Sequence, residues 1–425
     1  MKYALTNMFI LNGHEDMTPI SGKAILVEEG RIKDIVDANE VPMGYTLEDL
    51  HGGYLLPGLI NMHVHIPGGG KPSKKKKDFN KIAKLLRFAA VRKVMYELCA
   101  GYAKLQLFSG TTTIRSMGGI LDIDSRLRDA IDAGKQTGPR ILAANYAVSV
   151  PGGHMTGSVA QPVTSAEGAA QMVRDQAKYK PDIVKVMITG GVLDAEVPGE
   201  PGVLRMPPEY VKAACDAAHE LGYKVAAHVE STEGMVVALQ NGVDTCEHGG
   251  VVTPEVLELF RKTGSVMVTT FSPAIPFAEM PQSVTNFSDM DVFNGKAFFN
   301  NMISGVKTCL QEGITVGLGT DTGCPFVTHY DMWRELWYFC RYTGVTPAFA
   351  IHTATEINAA IAGLSDETGT VDIGKSADFM VVEKNPLEDI EALRTAKTVI
   401  FRGKLYRDPK VKKYADVEKA LDDMM

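Results

Sequence analysis

The sequence lacks long apolar stretches, and none of its apolar runs reaches the length of about 18 residues that a membrane-spanning helix needs. Its six cysteines are scattered and form no C-x-x-C pair, which argues against a disulfide framework and favours a reducing cytoplasm. The net charge of −7 is modest and spread along the chain, so neither nucleic acid nor an anionic membrane surface is an expected partner. These absences predict a cytoplasmic protein whose partners include neither nucleic acid nor a membrane.

The chain does have an ordinary globular balance, with 45% hydrophobic and 22% charged residues. Its 425 residues fit one barrel of about 250–300 residues together with a smaller domain. The apolar stretch within residues 1–11 is too short for the core of a secretion signal, so we expect a strand there.

Both ends of the chain carry short segments that are typical of strands. Near the N-terminus, residues 24–27 and 32–36 flank a turn that contains Gly30. Near the C-terminus, residues 378–382 precede a hairpin around Gly403. Neither end has enough apolar residues for a core of its own. We therefore expect residues 1–56 and 366–425 to form one small β-sandwich domain from both termini.

The middle of the chain, residues 57–365, alternates β-branched apolar runs with helical segments of ten or more residues. This alternation predicts βα units and a parallel sheet, hence an α/β fold. About eight units over about 300 residues favour a closed (β/α)₈ TIM barrel. The predicted strands lie at residues 112–115, 140–144, 183–188, 224–228, 244–247, 265–269 and 315–318, and the predicted helices at 125–135, 166–178, 208–221, 231–240 and 254–262.

A long insertion follows the first barrel strand and occupies residues 67–77. It contains three consecutive glycines and then the lysine run 74–77. We interpret the run as a solvated loop, with a mobile lid over the site as the alternative, since long loops in compact domains often act as lids.

The first predicted barrel strand begins near Pro57 and ends in a His-x-His pair. Alternate side chains of a strand face the same side, so His63 and His65 point the same way and are close enough to share one metal ion. Active sites of (β/α)₈ barrels lie at the carboxyl ends of the strands, where this pair falls. A single histidine on an apolar strand is usually structural, whereas two at this spacing favour metal binding.

Lys185 lies within an apolar strand, which is an unusual place for a lysine. Both faces of a barrel strand are buried, and lysine is almost never fully buried without a partner. Two interpretations remain open from the residues alone. Lys185 forms a salt bridge inside the barrel, or its amine has reacted with CO₂ to give a carbamate, an anion whose two oxygens can bridge two metal ions.

Three more predicted strands lead into a polar residue, namely His228, His248 and Asp321. A core histidine or a helix-capping aspartate is the ordinary explanation for each of them alone. Together with the His-x-His pair and the lysine, however, they fall at the ends of successive predicted strands. Neutral imidazoles and carboxylates suit zinc, manganese or iron(II).

This set, together with residues 369–378 (Gly-Thr-Val-Asp-Ile-Gly-Lys-Ser-Ala-Asp), resembles the amidohydrolase superfamily over nearly the whole chain. The resemblance implies a (β/α)₈ barrel with two divalent metal ions, Zn²⁺ first and Mn²⁺ or Fe²⁺ as alternatives. It implies that Lys185 matches the family's carboxylated, metal-bridging lysine. The metal positions that it implies are His63, His65, Lys185, His228, His248 and Asp321.

A closer resemblance is to the binuclear branch of prolidase-like, Xaa-Arg or Xaa-Lys carboxypeptidase-like and imidazolonepropionase-like enzymes. It is carried by Thr-Gly-Gly at residues 189–191 and by Pro-Gly-Gly-His at residues 151–154. In that branch the histidine that matches His154 binds the substrate. After His228 the chain has Val-Glu-Ser, where related dipeptidases often have a small residue and then Tyr or His. His329, eight residues beyond Asp321, either lines the substrate pocket or caps the following helix.

The resemblance implies hydrolysis of a C–N amide-type bond, in a dipeptide, an N-acyl amino acid or a cyclic amide, by a hydroxide that bridges the metal ions. Asp321 would take the proton from the attacking water and pass it to the leaving amine. The resemblance also implies a homo-oligomer. The alternatives are a mononuclear deaminase or an imidazolone-type ring hydrolase on the same barrel, and a non-catalytic binding protein derived from such a hydrolase. Lys185 argues against the deaminase, and the complete set of ligand positions argues against the binding protein.

Overall fold

The computed structural model describes residues 2–72, 85–195, 197–199 and 202–425. The lysine run at 74–77, for which we predict a solvated loop or a lid, lies outside these residues. Within them, the strands are β1 (Lys2–Ile10), β2 (Lys23–Glu28), β3 (Arg31–Asp37), β4 (Thr46–Pro57), β5 (Leu59–Val64), β6 (Thr111–Ser116), β7 (Arg140–Leu142), β8 (Ala147–Ser149), β9 (Ala160–Pro162), β10 (Ile183–Met187), β11 (Lys224–Val229), β12 (Thr245–His248), β13 (Val266–Thr269), β14 (Val316–Leu318), β15 (Phe379–Val382), β16 (Thr398–Phe401) and β17 (Lys404–Arg407).

The helices lie between and after these strands. They are α1 (Ala89–Phe108), α2 (Ile123–Asp132), α3 (Ala166–Gln176), α4 (Pro208–Glu220), α5 (Thr232–Gln240), α6 (Pro254–Thr263), α7 (Ile275–Ala278), α8 (Gln282–Thr285), α9 (Asp289–Gln311), α10 (Met332–Thr343), α11 (Pro347–His352), α12 (Asn358–Ile361) and α13 (Ala415–Asp422). Short 3₁₀ turns occur at Ala38–Glu40, Ala177–Tyr179, Val192–Asp194 and Ile390–Arg394, and a π-helical turn at Thr353–Ile357. None of the helices described here combines the length and the apolar character that a membrane crossing requires.

One seven-stranded sheet contains strands from both ends of the chain, in the order β17-β16-β15-β4-β1-β2-β3. The two ends meet where β15 pairs antiparallel with β4, which itself runs parallel to β1. Apolar side chains from both ends, among them Leu5, Ile25 and Phe379, are buried in one cluster on this sheet. The termini therefore share one sheet and one core, which neither could form alone.

The middle of the chain forms two parallel sheets, β5-β6-β7 and β14-β13-β12-β11-β10-β8-β9. Hydrogen bonds connect the two sheets at two places, after the edge strand β14 and before the interior strand β10. The Asp321 amide donates to the His63 carbonyl at 2.9 Å, and the Asp182 amide donates to the Ala143 carbonyl at 2.8 Å. The α/β class with a parallel-strand sheet is thus confirmed, and the carboxyl ends of β5 and β14 lie side by side.

Local sequence explains where the helices begin and end. In α6, Pro254 occupies the first turn, the Thr253 hydroxyl accepts the Val256 amide, and Gly264 ends the helix with a φ of 71°. Val256 and Phe260, four residues apart, are buried on one face. In α5 the Ser231 hydroxyl likewise accepts the Gly234 amide at 3.1 Å. Both caps lie within five residues of the preceding strand, so the junctions are short.

The predicted elements of the middle region are present, with boundaries that shift by about two residues. The structure adds β8, β9 and two long helices, α1 and α9, that the sequence patterns do not predict. The six cysteine sulfurs are free thiols.

Candidate metal centre

Three of the predicted ligands are histidines that the parallel strands bring together at their carboxyl ends. His63 lies on β5, His228 on β11 and His248 at the end of β12. The ring centroid of His248 is 4.8 Å from that of His63 and 4.8 Å from that of His228. All three rings are buried. Residues that are far apart in sequence thus form one compact cluster.

Asp321 joins this cluster from the segment after β14. Its Oδ1 lies 3.2 Å from Nε2 of His65 and 3.5 Å from Nε2 of His63. The donor atoms of these three residues lie within 4.8 Å of one another, a spacing that one metal ion could bridge. Asp321 and His248 both have positive φ angles, 55° and 67°. Such conformations cost free energy and concentrate at functional sites.

Several buried polar atoms of the cluster have no hydrogen-bond partner within the described residues. They are His63 Nε2, His228 Nε2, Lys185 Nζ and Asp321 Oδ1. Buried polar atoms are almost always paired in folded proteins, so four unpaired atoms around one point need an explanation. Imidazole nitrogens, a carboxylate oxygen and an amine that can become a carbamate are together a donor set that fits divalent metal ions.

Burial favours the uncharged form of the candidate nitrogen ligands, which is the form that binds metal. It holds the pKa values of His63 and His228 well below the usual range, with further lowering by neighbouring positive groups. It lowers the pKa of His248 to about 4 and that of the Lys185 amine to about 8. The neutral amine is the form that reacts with CO₂.

Asp321 remains ionised despite its burial. Burial itself disfavours the charged carboxylate, but the nearby His63 and His65 imidazoles outweigh it and hold the pKa of Asp321 well below its usual range. An ionised carboxylate at this position can bind a cation and can also accept a proton.

The remaining ring nitrogens of the histidines are held by the protein. Nδ1 of His65 donates to the Gly118 carbonyl at 2.9 Å, and Nδ1 of His248 lies 2.7 Å from the Thr270 hydroxyl. Such contacts set the ring orientation and the tautomer, so that the other nitrogen is directed at the metal position.

His63 is oriented by a buried ion pair that the sequence patterns did not reveal. Its Nδ1 donates to Glu247 Oε2 at 2.8 Å, and Arg115 donates to both oxygens of the same carboxylate at 2.8 and 2.9 Å. Glu247 and His248 are neighbours in β12, so simple alternation would place them on opposite faces. The left-handed backbone at His248 breaks the alternation, and both side chains reach His63.

His154 lies beside the cluster. Its ring stacks on His228 with the centroids 3.9 Å apart and the planes within 6°. Its Nδ1 lies 2.5 Å from Asp194 Oδ2, and Asp194 also accepts the Gly191 amide at 2.8 Å. Among the described residues no hydrogen bond to the second ring nitrogen is found, and this nitrogen is suited to substrate contact.

His329 is further from the cluster and is engaged by protein groups on both nitrogens. Nε2 donates to the Gly68 carbonyl at 2.6 Å, and Nδ1 lies 3.3 Å from the Gln106 amide nitrogen. Its ring stacks on Tyr102 at 4.6 Å. This arrangement anchors the segment after β5, and a substrate contact by His329 stays a prediction.

Glu230 is a further ionisable residue at the site that was not predicted. It follows β11 directly, and its Oε1 lies 3.8 Å from His228 Nε2. Burial raises the pKa of this carboxyl well above its usual range, and the negative charges of Asp194 and Asp321 raise it further. Its place two residues after a predicted ligand was the only signal in the sequence.

With this geometry established, comparison with known proteins defines the class. Residues 54–406 match the amidohydrolase family. Because the match spans most of the chain, the protein belongs to the amidohydrolase family. It is a hydrolase that acts on carbon–nitrogen bonds.

Individual relatives agree with this assignment. The chain is 26% identical over 428 residues to ochratoxinase from Aspergillus niger, a match that covers 93% of this chain and 85% of that one. A candidate prolidase from Bifidobacterium longum has a solved structure with 34% identity and a TM-score of 0.87, covering 100% of this chain and 98% of that one. A Xaa-Pro dipeptidase solved with methionine in its active site is 27% identical with a TM-score of 0.82, covering 96% and 100%.

Proposed function

We propose that the protein is a binuclear metal-dependent amidohydrolase that hydrolyses a C–N amide-type bond in a dipeptide, an N-acyl amino acid or a cyclic amide. The observation that carries the proposal is the convergence of unpaired buried donor atoms from His63, Lys185, His228 and Asp321. Relatives named ochratoxinase and Xaa-Pro dipeptidase support an amide-type substrate.

Six side chains would hold the two divalent ions, and the group of unpaired donors fits them. His63, His65 and Asp321 would bind one ion, since their donor atoms are mutually close. His228 and His248 would bind the other, and Lys185, as a CO₂-derived carbamate, would lie between the two. We favour Zn²⁺, with Mn²⁺ or Fe²⁺ as alternatives, because imidazole and carboxylate ligands suit all three ions.

Residues of the chain would carry out proton transfer, substrate binding and the orientation of the metal ligands. When bound, the two cations supply a water of lowered pKa and polarise the substrate carbonyl. Asp321 accepts the proton of the attacking water and returns it to the leaving amine, for which its ionised state is suited. His154 binds the substrate beside His228, with Asp194 fixing its ring. Glu247 and Arg115 keep the His63 ring in its ligating orientation.

We also propose how the parallel sheets and the terminal sheet are organised into domains. Residues 57–365 would form one closed (β/α)₈ barrel, with residues 1–56 and 366–425 as a β-sandwich domain. The hydrogen bonds that connect the two parallel sheets support closure. We further propose a cytoplasmic homo-oligomer, for which the free thiols and the family membership are the support.

The test is metal content per chain, measured by inductively coupled plasma mass spectrometry on protein purified without chelator. We expect about two Zn²⁺, Mn²⁺ or Fe²⁺ ions per chain. His63→Ala should lower this number, whereas His51→Ala, which removes an exposed histidine of the terminal sheet, should leave it unchanged. Hydrolysis is then measured with dipeptides and N-acyl amino acids.

One ion per chain would contradict the binuclear centre and would direct the assays to deaminase and imidazolone-type substrates. Two ions without hydrolysis of any amide would contradict the proposed reaction.

A further inference from the structure

The segment that follows β13, residues 270–272, has its backbone fixed by one carboxyl group. Glu335 on α10 accepts the Phe271 amide at 2.6 Å and the Ser272 amide at 2.9 Å, and the Ser272 hydroxyl also donates to it. Glu335 is fully buried. A buried carboxyl group is costly unless it is hydrogen-bonded, so the position of Glu335 and the conformation of the segment depend on each other.

Apolar packing links the same segment to the same helix. The Phe271 ring is fully buried, and its centroid lies 6.5 Å from that of Phe339 on α10 and 6.4 Å from that of Phe299 on α9. Glu335 and Phe339 are four residues apart and therefore lie on one face of α10. One helix face thus supplies both the hydrogen-bond acceptors and an apolar contact to the segment.

The hydrogen bonds to Glu335 do not require a charged carboxylate. Burial raises the pKa of Glu335 to about 8, and the hydrogen bonds from Ser272 and Phe271 lower it only in part. A protonated carboxyl group retains lone pairs that can accept backbone amides. The contact between Glu335 and the segment is therefore a matter of geometry and not of protonation.

The first residue of the segment contacts a proposed metal ligand. The Thr270 hydroxyl lies 2.7 Å from Nδ1 of His248, and both side chains are buried. Because β12 and β13 are neighbouring parallel strands, His248 at the end of β12 lies beside the residues that follow β13. His248 can direct Nε2 at a metal ion when Nδ1 carries the proton and has an acceptor, which this hydroxyl provides.

We infer that Glu335 is a positioning residue for the metal ion that His228 and His248 would bind. It fixes the backbone of residues 270–272 and thereby holds the Thr270 hydroxyl where it accepts the proton of His248 Nδ1. This contact sets the orientation of the His248 ring. The inference rests on the proposed function and deepens it, because it makes one of the two ions depend on Glu335 and the other not.

A zinc titration of the metal-free full chain tests this inference. A chromophoric chelator competes for the zinc, bicarbonate supplies CO₂ for the carbamate, and the titration gives two stepwise dissociation constants. Glu335→Gln keeps the size of the side chain but replaces one acceptor oxygen by an NH₂ group, which cannot accept an amide. We expect one dissociation constant to rise by about tenfold or more and the other to stay within about threefold. His248→Ala should weaken the same step and so assign it.

Further variants test the route through Thr270. Thr270→Val removes the hydroxyl and should weaken the same step, whereas Thr270→Ser keeps the hydroxyl and should bind zinc like wild type. The double variant Glu335→Gln/Thr270→Val should be no weaker than the weaker single variant, because both changes act on one contact. If Glu335→Gln does not fold, Ser272→Ala removes one donor to Glu335 and should weaken the same step. The control is Glu258→Gln, which changes an exposed glutamate of α6 and should leave both constants unchanged.

The outcomes separate this inference from the proposed function. Two bound ions whose dissociation constants stay unchanged in Glu335→Gln, or rise equally, overturn the positioning role and leave the binuclear centre standing. Additive effects of Glu335→Gln and Thr270→Val also overturn it.

One ion per wild-type chain contradicts the binuclear centre instead. The positioning role is then supported if Glu335→Gln and Thr270→Val weaken that ion to the same degree, and it is overturned if they do not. A wild-type chain that binds no zinc overturns both.

Discussion

Two buried cations on the parallel strands have opposite surroundings. Arg115 on β6 is 2% exposed and donates to the Met62 carbonyl, the Thr245 hydroxyl and the Glu247 carboxylate, at distances of 2.7 to 3.2 Å. Lys185 on β10 is 1% exposed, and its Nζ finds no hydrogen-bond partner in the described ranges. One charge is paired inside the chain, and the other is not.

We interpret this difference as one between a structural position and a position that we propose for metal binding. Removing a charge from water costs free energy that only good pairing offsets. The paired group (Arg115, Thr245 and Glu247) meets this requirement. Its Glu247 carboxylate also accepts a hydrogen bond from His63 Nδ1 and so fixes the ring. The open group (Lys185, His228 and Asp321) has polar atoms without a hydrogen-bond partner among the described residues. The paired group should therefore govern folding stability, and the open group should govern metal content and activity.

The largest effect is expected from Asp321→Asn, which changes the open group without changing its shape. The amide oxygen can still bind a metal ion, but the side chain no longer accepts a proton. We expect kcat to fall by about a thousandfold while metal content stays at the wild-type value. Steady-state kinetics and mass spectrometry on the same preparation check this, and a fully active variant would refute the proton-transfer role.

The next largest effect concerns the paired group. Arg115→Met leaves the buried Glu247 carboxylate without its cation, which should destabilise the chain by about 3–5 kcal/mol. Urea denaturation of chelator-treated protein measures this without any metal contribution. A midpoint equal to that of wild type would show that the pair does not hold the fold.

Lys185→Met should have the opposite effect on the metal-free chain. Because the lysine amine is buried without a partner, its replacement should leave stability unchanged or raise it by about 1–3 kcal/mol. The same variant should bind less metal, since the bridging group is gone. Wild-type metal occupancy in Lys185→Met would contradict the carbamate.

The smallest effect on stability is expected at an exposed ion pair. This pair serves as a reference for the buried cations Arg115 and Lys185. Arg261 lies 2.6 Å from Glu312, and both side chains are about half exposed. Arg261→Ala should change stability by about 1 kcal/mol or less, since solvent screens such pairs. A loss as large as that of Arg115→Met would mean that burial is not what distinguishes these cations.

Much of the fold could be predicted because local patterns agreed with it. Alternating apolar runs and helical segments predicted the parallel α/β core, and most boundaries lie within about two residues. The strand β5, with its His-x-His pair, shows why this works, since a period of two defines one face without knowledge of any neighbour. The helix α9 was not predicted, because no regular spacing of apolar residues was recognised in its sequence.

A residue of the candidate site could be predicted only where its position at the end of a strand was sufficient to indicate metal binding. His63, His65, His228, His248 and Asp321 follow from strand ends. Glu247 was missed because alternation places it opposite His248, and the positive φ that brings both to His63 depends on the surrounding structure. Arg115 and Glu335 were missed because their significance lies in the groups that they pair with, in segments that are distant in sequence.

The sequence by itself determined the α/β class, the positions of the strands and the set of residues that we propose as metal ligands, because each depends on the order of residues along a short segment. The tertiary structure alone decided which of the buried charges are paired. Pairing depends on distances between segments that lie more than a hundred residues apart, such as Arg115 and Glu247, and the cost of an unpaired charge arises only once the fold has excluded water.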